Sequence, residues 1–76
     1  MHLIIAKVDE VYFDGEADSI TVTGAAGEMT ILPEHMPLIT TLKPCNVIVR
    51  FAEGTKEIPI EGGILEVRRD GATVVL

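Results

Sequence analysis

Short segments of alternating apolar and polar residues run through the whole chain, and glycine, proline, asparagine or aspartate interrupts them every few positions. Ser19-Ile20-Thr21-Val22-Thr23 alternates most cleanly, which predicts Ile20 and Val22 on a core face and both threonines outside. Nowhere do apolar residues recur at helical spacing over the roughly ten residues that a stable helix needs. The sequence therefore predicts an all-β fold of about eight to ten short strands, arranged as an antiparallel sandwich or flattened barrel.

Turn residues predict where these strands end. Glycine, proline, asparagine and aspartate supply the backbone angles that tight turns require. Pro59 lies in the middle of an apolar segment and lacks a backbone N–H, so it predicts an edge strand or a bulge. The predicted turns are Asp14-Gly15, Gly24-Ala25-Ala26-Gly27, Lys43-Pro44-Cys45-Asn46, Glu53-Gly54-Thr55-Lys56 and Arg69-Asp70-Gly71.

A chain of 76 residues predicts one domain, residues 1–76, with a small core. Hydrophobic residues make up 47% of the chain but aromatic residues only 4%, so the core must consist of aliphatic side chains. Such a small core needs dense packing, a partner, or both to be stable. The predicted core residues are Ile5, Ile20, Val22, Ile31, Val47, Val49, Leu65 and Val67.

The segment from Gly27 to Leu38 crowds a glycine, two carboxylates, a histidine and two prolines into a short stretch between predicted strands. Pro33 and Pro37 fix the backbone on both sides of His35, which indicates a rigid and partly exposed loop. Rigid loops on a β scaffold are often used for binding. A purely structural role, in which the loop lets the chain change sheets, is an equally open interpretation.

Charge and composition exclude several classes of partner. Twelve acidic residues against six basic ones give a net charge of −6, which repels nucleic-acid phosphates and anionic lipid surfaces. The N-terminal apolar run is too short for a signal peptide, and no run reaches the length of a membrane span. Cys45 is the single cysteine, which indicates a reducing compartment. We expect a cytoplasmic protein that binds no nucleic acid and inserts into no lipid.

Residues suited to catalysis or metal binding are present but not in a pattern that supports either. His2, His35 and Cys45 lack the paired spacing of a metal site. Nothing in the sequence indicates that Ser19 or Cys45 is an activated nucleophile. Glu28 and Glu34 could serve as an acid–base pair, but acidic residues are common in this chain. The glycines at 24 and 27 lack the lysine and helix of a phosphate loop. We therefore predict no catalytic, metal or cofactor site and no small-molecule substrate.

Several short motifs occur in a fixed order along nearly the whole chain. They are Phe13-Asp14-Gly15, Val22-Thr23-Gly24 with Gly27-Glu28, Ile31-Leu32-Pro33-x-His35-x-Pro37-Leu38, Leu42-Lys43-Pro44, Gly62-Gly63-Ile64-Leu65-Glu66-Val67 and Thr73-Val74-Val75-Leu76. Each motif is weak alone, but the ordered set is specific. It resembles the N-terminal β-sandwich of the epsilon subunit of rotary F-type ATP synthases.

This resemblance implies a non-catalytic subunit of the central stalk. Such a subunit binds the gamma shaft, touches the c ring and helps to transmit rotation between proton flow and the catalytic head. It would lie on the cytoplasmic side of the energy-transducing membrane, attached through the complex. The contact positions that the resemblance implies are Gly27, Glu28 and Met29 for the c ring, and Lys7, His35 and Thr40 for gamma. The alternative is a free-standing small β-sandwich that binds a ligand or a peptide.

The chain departs from this family at three positions. Glu34 and Cys45 stand where the family usually has glycine, and Met36 stands where it usually has a small residue. Glu34 removes a residue type that tolerates positive φ, whereas Met36 adds an adaptable apolar side chain suited to a protein interface. Members of the family continue into a helical hairpin to which nothing in these residues corresponds, so neither inhibition nor nucleotide sensing is expected of them.

Overall fold

The fold consists of β-strands and tight connections. The computed structural model describes residues 1–76 and contains nine strands, which confirms the predicted all-β class. No helix has the length and apolar character needed to cross a membrane. The strands are β1 (His2–Lys7), β2 (Glu10–Glu16), β3 (Ser19–Gly24), β4 (Gly27–Ile31), β5 (Leu38–Leu42), β6 (Cys45–Phe51), β7 (Gly54–Ile60), β8 (Gly63–Arg68) and β9 (Gly71–Val75).

The strands form two layers, which we call layer A and layer B. Layer A has the order β2-β1-β9-β8-β5 and layer B the order β4-β3-β6-β7. A single residue pair, Gly24 with Leu42, joins β3 to β5 and so links the layers. Every ladder is antiparallel except that between β1 and β9, which is parallel. The parallel pair joins the first and last strands, so no hairpin sets its direction.

Aliphatic side chains fill the space between the layers. All eight predicted core residues are at most 3% exposed, which confirms that prediction. They lie at alternate positions along their strands because successive side chains point to opposite faces. Seven further apolar residues complete the core: Leu3, Ala17, Leu42, Ile58, Ile60, Ala72 and Val74.

Several local predictions are wrong. Asp14 and Gly15 do not form a turn but continue β2, where they pair with Ile4 and Leu3 of β1. The cross-strand partner keeps this pair extended, and the chain reverses instead at residues 8–9. Cys45 and Asn46 likewise do not belong to a turn, since they open β6 and pair with Ile60 and Pro59. Of the predicted turn at residues 53–56, only Glu53 lies in the connection, because β7 begins at Gly54.

Thr21 was predicted to be exposed, yet it is 8% exposed. Its Oγ1 accepts a hydrogen bond from Nη1 of Arg50 at 3.1 Å and lies 3.0 Å from Oγ1 of Thr30. These neighbouring side chains cover it on the outer face of layer B. By contrast, the prediction for Pro59 is confirmed, because β7 pairs only with β6 and forms an edge of layer B.

Candidate partner-binding surface

The segment from Gly27 to Leu38 reaches from one end of the sandwich to the other. Its strand β4 begins at the β3–β4 turn, where Glu28 pairs with Thr23, and ends where Ile31 pairs with Ile20. We call the end with the β3–β4 turn the hairpin end, and the end with residues 32–37 the loop end. Glu28 and His35, which the sequence placed in one stretch, therefore lie at opposite ends of the molecule.

The hairpin end is held firmly to layer A. Gly27 has φ of +124°, a backbone conformation that residues with a side chain rarely adopt. This conformation turns the chain into β4. The N–H of Ala25 donates to the carbonyl of Thr41 at 3.2 Å, and the N–H of Lys43 donates to the carbonyl of Thr23 at 2.9 Å. These bonds cross from layer B to layer A, so the hairpin is fixed against the β5–β6 corner.

Two neighbouring residues on this hairpin have opposite environments. Glu28 is exposed, whereas Met29 is half-buried and packs against the core. The Met29 methyl group lies 2.7 Å from the place where a Cβ on Gly24 would stand, so Gly24 provides the space that Met29 fills. The structure thus presents the Glu28 carboxylate to the surroundings and gives Met29 a packing role.

The loop end has a strained turn at its centre. The N–H of His35 donates to the carbonyl of Leu32 at 3.2 Å and closes a four-residue turn with Pro33 second and Glu34 third. Glu34 has φ of +64° and is the only non-glycine residue with positive φ. This is the position of a type II turn that glycine normally occupies. The loop therefore retains a glycine-like backbone although the residue is glutamate.

Two neighbours of this turn differ in exposure. His35 is half-buried, and its Nδ1 lies 2.7 Å from the carbonyl oxygen of Met36. Met36 itself is 79% exposed. The loop thus orders the imidazole and leaves the methionine side chain free to contact another surface.

Lys7 and Thr40 lie on different strands of layer A. Lys7 ends β1 and is exposed, whereas Thr40 on β5 is half-buried and its hydroxyl donates to the carbonyl of Thr41 at 3.3 Å. The strands β9 and β8 separate them, a spacing of about 14 Å at roughly 4.8 Å per strand. Together with His35 at the loop end, these residues do not form one compact patch.

Lys7 is next to a tyrosine and several acids. Interaction with the Tyr12 side chain raises the pKa of Lys7 above its ordinary 10.5, and the charges of Asp9 and Glu10 raise it further. The Tyr12 hydroxyl in turn donates to Oε1 of Glu10 at 3.1 Å. The ammonium group is therefore charged at neutral pH and lies beside the acidic residues Asp9 and Glu10.

A shallow cavity of about 240 Å³ opens beside Lys7, between the edge strands β2 and β7. The Lys56 ammonium on β7 connects the same two strands, because it donates a hydrogen bond to the carbonyl oxygen of Tyr12 on β2 at 2.9 Å. The residues that line the cavity are Lys7, Tyr12, Pro59, Ile60, Glu61, Gly62 and Leu76. No three histidine, cysteine or acidic side chains converge anywhere in the molecule.

Exposed apolar side chains are concentrated on layer A and its connections, a feature that sequence reasoning missed. Val11 of β2 lies opposite Ala6 of β1, Ala6 lies opposite Val75 of β9, and Val75 lies opposite Ile64 of β8. These contacts form a row across four strands on the outer face. The sequence indicates these exposed residues through pairs of adjacent apolar residues, such as Ile64-Leu65 and Val74-Val75. Only one residue of each pair can face the core, so the other must face outwards. The large exposed apolar residues are Val8, Val11, Leu32, Met36, Ile39, Ile64 and Val75.

Comparison with protein families gives a match over the full length of the chain. A family model described as the β-sandwich domain of the ATP synthase delta/epsilon chain matches residues 1–76. The ATP synthase epsilon chain of Bordetella parapertussis is 43% identical over 76 residues, which cover 99% of this chain and 54% of that protein. The epsilon chain of Xanthomonas campestris pv. campestris is 44% identical over 73 residues, covering 95% and 52% respectively. The chain thus spans about half the length of the curated relatives it matches.

Two solved structures share the fold. A chain in the Euglena gracilis mitochondrial ATP synthase, in a structure of OSCP, F1 and c-ring, superimposes with a TM-score of 0.89 at 24% identity, covering 99% of this chain and 49% of that chain. A chain in the Tetrahymena thermophila mitochondrial ATP synthase, from a central stalk and c-ring structure, gives a TM-score of 0.80 at 16% identity, covering 97% and 60%. At these identities the likeness concerns the fold alone.

Proposed function

The chain belongs to the delta/epsilon chain family of ATP synthase, whose β-sandwich domain it matches from residue 1 to residue 76, and from this we propose that it is a central-stalk subunit. In this proposal residues 1–76 are one epsilon-type N-terminal domain that links the gamma shaft to the c ring and couples rotation to ATP synthesis or hydrolysis. The observation that carries the proposal is the family match over every residue.

The proposed role is mechanical, and the subunit performs no chemistry itself. A closely packed aliphatic core between two layers deforms little, so the domain transmits force as one body. It needs no cofactor, nucleic acid or small-molecule substrate and does not insert into lipid. Its proposed place is the cytoplasmic side of the energy-transducing membrane, where it is held by the other subunits of the complex.

The hairpin end is the proposed contact with the c ring. Glu28 is exposed there on a hairpin that two backbone hydrogen bonds tie to layer A. A carboxylate on such a rigid support recognises a basic or polar loop without a large loss of conformational entropy. Gly27 supplies the turn and Met29 anchors it, so all three residues contribute to this contact.

Lys7, His35 and Thr40 are the proposed contacts with gamma. Their separation within the sandwich requires gamma to cover an extended area that includes the loop end and part of layer A. The exposed apolar residues of layer A and the loop support such a surface, because contiguous apolar patches on soluble domains mark interaction sites.

Co-purification tests the proposal directly. Released from membranes at low salt, the chain is expected to migrate with gamma and the catalytic head in size-exclusion chromatography. A reconstitution with purified gamma, and a parallel sample without gamma, separates specific assembly from self-association. Recovery only as a free monomer, together with no binding to gamma, would disprove the proposal.

The cavity beside Lys7 favours a second candidate, a free-standing module that binds a small ligand or a peptide. Its volume of about 240 Å³ is below the range of about 300–1,000 Å³ that is typical of ligand pockets, so this candidate is the weaker one. A thermal-shift screen distinguishes the two. A dedicated ligand at about 100 times its dissociation constant stabilises a fold by roughly 2.7 kcal/mol, which a screen detects readily.

A further inference from the structure

Glu34 occupies a backbone conformation that opposes its own side chain. With φ of +64°, it lies in the left-handed region that glycine adopts freely and that costs other residues on the order of 1 kcal/mol or more. Pro33 before it and the hydrogen bond from His35 to Leu32 hold the turn in place. Glycine at position 34 would remove this strain, so a glutamate here sacrifices stability for its side chain.

Several residues close to Glu34 in the sequence are apolar and exposed. Leu32 is 58% exposed, Met36 is 79% exposed and Ile39 is 71% exposed. Glu34 is exposed as well, and it takes part in none of the ion pairs of the molecule. The loop end therefore combines an unpaired negative charge with exposed apolar side chains on the turn, just after it and at the start of β5.

This combination restricts what can cover the loop. Burying the apolar side chains against a partner also removes the Glu34 carboxylate from water, which is unfavourable unless a cation pairs with it. A matching surface must therefore carry a lysine or arginine beside an apolar depression. The net charge of −6 on the chain also favours approach to a basic surface. Met36, with its flexible thioether, adapts to such a depression.

We propose that Glu34 and Met36 form a specificity determinant for the gamma subunit, in which the Glu34 carboxylate pairs with a basic side chain of gamma and Met36 enters the neighbouring apolar depression. This inference rests on the proposed function, because it assumes that gamma covers the loop end. It assigns the strain at residue 34 to partner selection: a gamma subunit without the basic residue leaves a buried carboxylate unpaired and binds less tightly.

Binding to gamma and thermal unfolding, measured on the same variants, test this inference. The gamma subunit is taken from the same organism, and binding is followed by calorimetry at about 0.15 M salt. Glu34→Gln is expected to weaken binding about tenfold without a change in melting temperature. Glu34→Gly is expected to weaken binding by a similar factor while raising the melting temperature by at most roughly 4–8 °C, because relief of the strain outweighs the greater freedom of glycine in the unfolded chain. Binding and stability then move in opposite directions.

Two further variants complete the experiment. Met36→Ala is expected to weaken binding about tenfold through lost apolar contact, with little effect on the fold because the side chain is exposed. Glu57→Gln on β7 removes the same charge from an exposed position of layer B and serves as the matched control, with no change in either measurement. Higher salt is expected to weaken the parent more than Glu34→Gln, since only the parent has the ion pair.

The outcomes separate this inference from the proposed function. If both Glu34 variants bind gamma as tightly as the parent does, the proposal of a specificity determinant is wrong, whereas the proposed stalk function is unaffected. If Glu57→Gln weakens binding as much as Glu34→Gln, overall charge rather than residue 34 controls the interaction, and the inference is again wrong. If the parent does not bind gamma at all, both proposals fail together.

Discussion

Single residues of this fold are constrained most strongly where two backbones approach each other. At Gly71, a Cβ would stand directly against the carbonyl oxygen of His2 on the neighbouring strand. Gly71 pairs with His2 in the parallel ladder between β9 and β1, so no side-chain rotation can relieve the clash. Glycine is needed here for close approach and not for an unusual φ.

Gly71→Ala is therefore expected to destabilise the protein by about 2–3 kcal/mol, because the two strands must move apart. Equilibrium unfolding in urea measures the change. Gly15→Ala is the matched control, since the nearest atom to its Cβ is a Phe13 ring carbon at 3.9 Å. The control is expected to stay within roughly 1 kcal/mol of the parent. Equal effects of both substitutions would contradict the close-contact explanation.

The environment of Lys7 gives a second prediction for a single residue. Tyr12 is the main cause of its raised pKa, so Tyr12→Phe is expected to shift the pKa of Lys7 back towards 10.5. A raised lysine pKa stabilises the folded state below pH 10.5, and this contribution disappears as pH rises through the folded-state value. An NMR titration of the Lys7 side chain measures the shift. An unchanged pKa in Tyr12→Phe would mean that Asp9 and Glu10 alone control it.

At the scale of the elements, each strand contributes one face to the core and leaves the other outside. β8 illustrates this, because Leu65 and Val67 are buried whereas Ile64 and Glu66 are exposed. Its neighbours β5 and β9 fix the register on both sides, so the strand cannot slip without turning its buried side chains outwards. The alternation in the sequence was sufficient to predict which residues of β8 face the core.

Leu65→Ala is expected to destabilise the protein by about 2–5 kcal/mol, because it leaves a cavity at a fully buried position. Ile64→Ala on the same strand removes a side chain that is 48% exposed and is expected to cost less than about 1.5 kcal/mol. Chemical denaturation of both variants provides the comparison. A larger loss for Ile64→Ala would indicate that the strand packs with the opposite face.

At the scale of the whole molecule, the two ends of the sandwich present different surfaces. The hairpin end offers the exposed Glu28 carboxylate on a fixed turn, and the loop end offers a strained turn with apolar neighbours. A domain that must hold one partner at the hairpin end and another over the loop end and part of layer A benefits from this arrangement, since a rigid core connects the two contacts. The stalk function proposed here requires such a connection.

Glu28→Lys is expected to weaken coupling between the ring and the stalk while leaving the unfolding free energy within roughly 0.5 kcal/mol of the parent, because the residue is exposed. Assays on reconstituted membranes compare the rate of ATP-driven proton pumping with the rate of ATP hydrolysis. Glu57→Lys makes the same charge change on β7 and is expected to pump normally. A parent-like pumping rate in Glu28→Lys would contradict the proposed ring contact.

The sequence by itself determined the all-β class and eight of the fifteen core residues, because alternation and turn residues act over a few neighbouring positions. From Pro59 it also predicted an edge strand or a bulge, and β7 is an edge strand, since proline lacks a backbone donor wherever it lies. Asp14-Gly15 was misread as a turn because its strand partner in β1 is invisible to local pattern.

Only the tertiary structure decided how distant residues combine. The parallel pairing of β1 with β9, the covering of Thr21 by Arg50 and the apolar row across layer A all depend on strands far apart in sequence. The segment from Gly27 to Leu38 reads as one unit in the sequence, but an extended strand carries its two functional parts to opposite ends. Glu34 retains a glycine-like turn because Pro33 and the packed ends of the loop hold the backbone more strongly than one residue's preference opposes it.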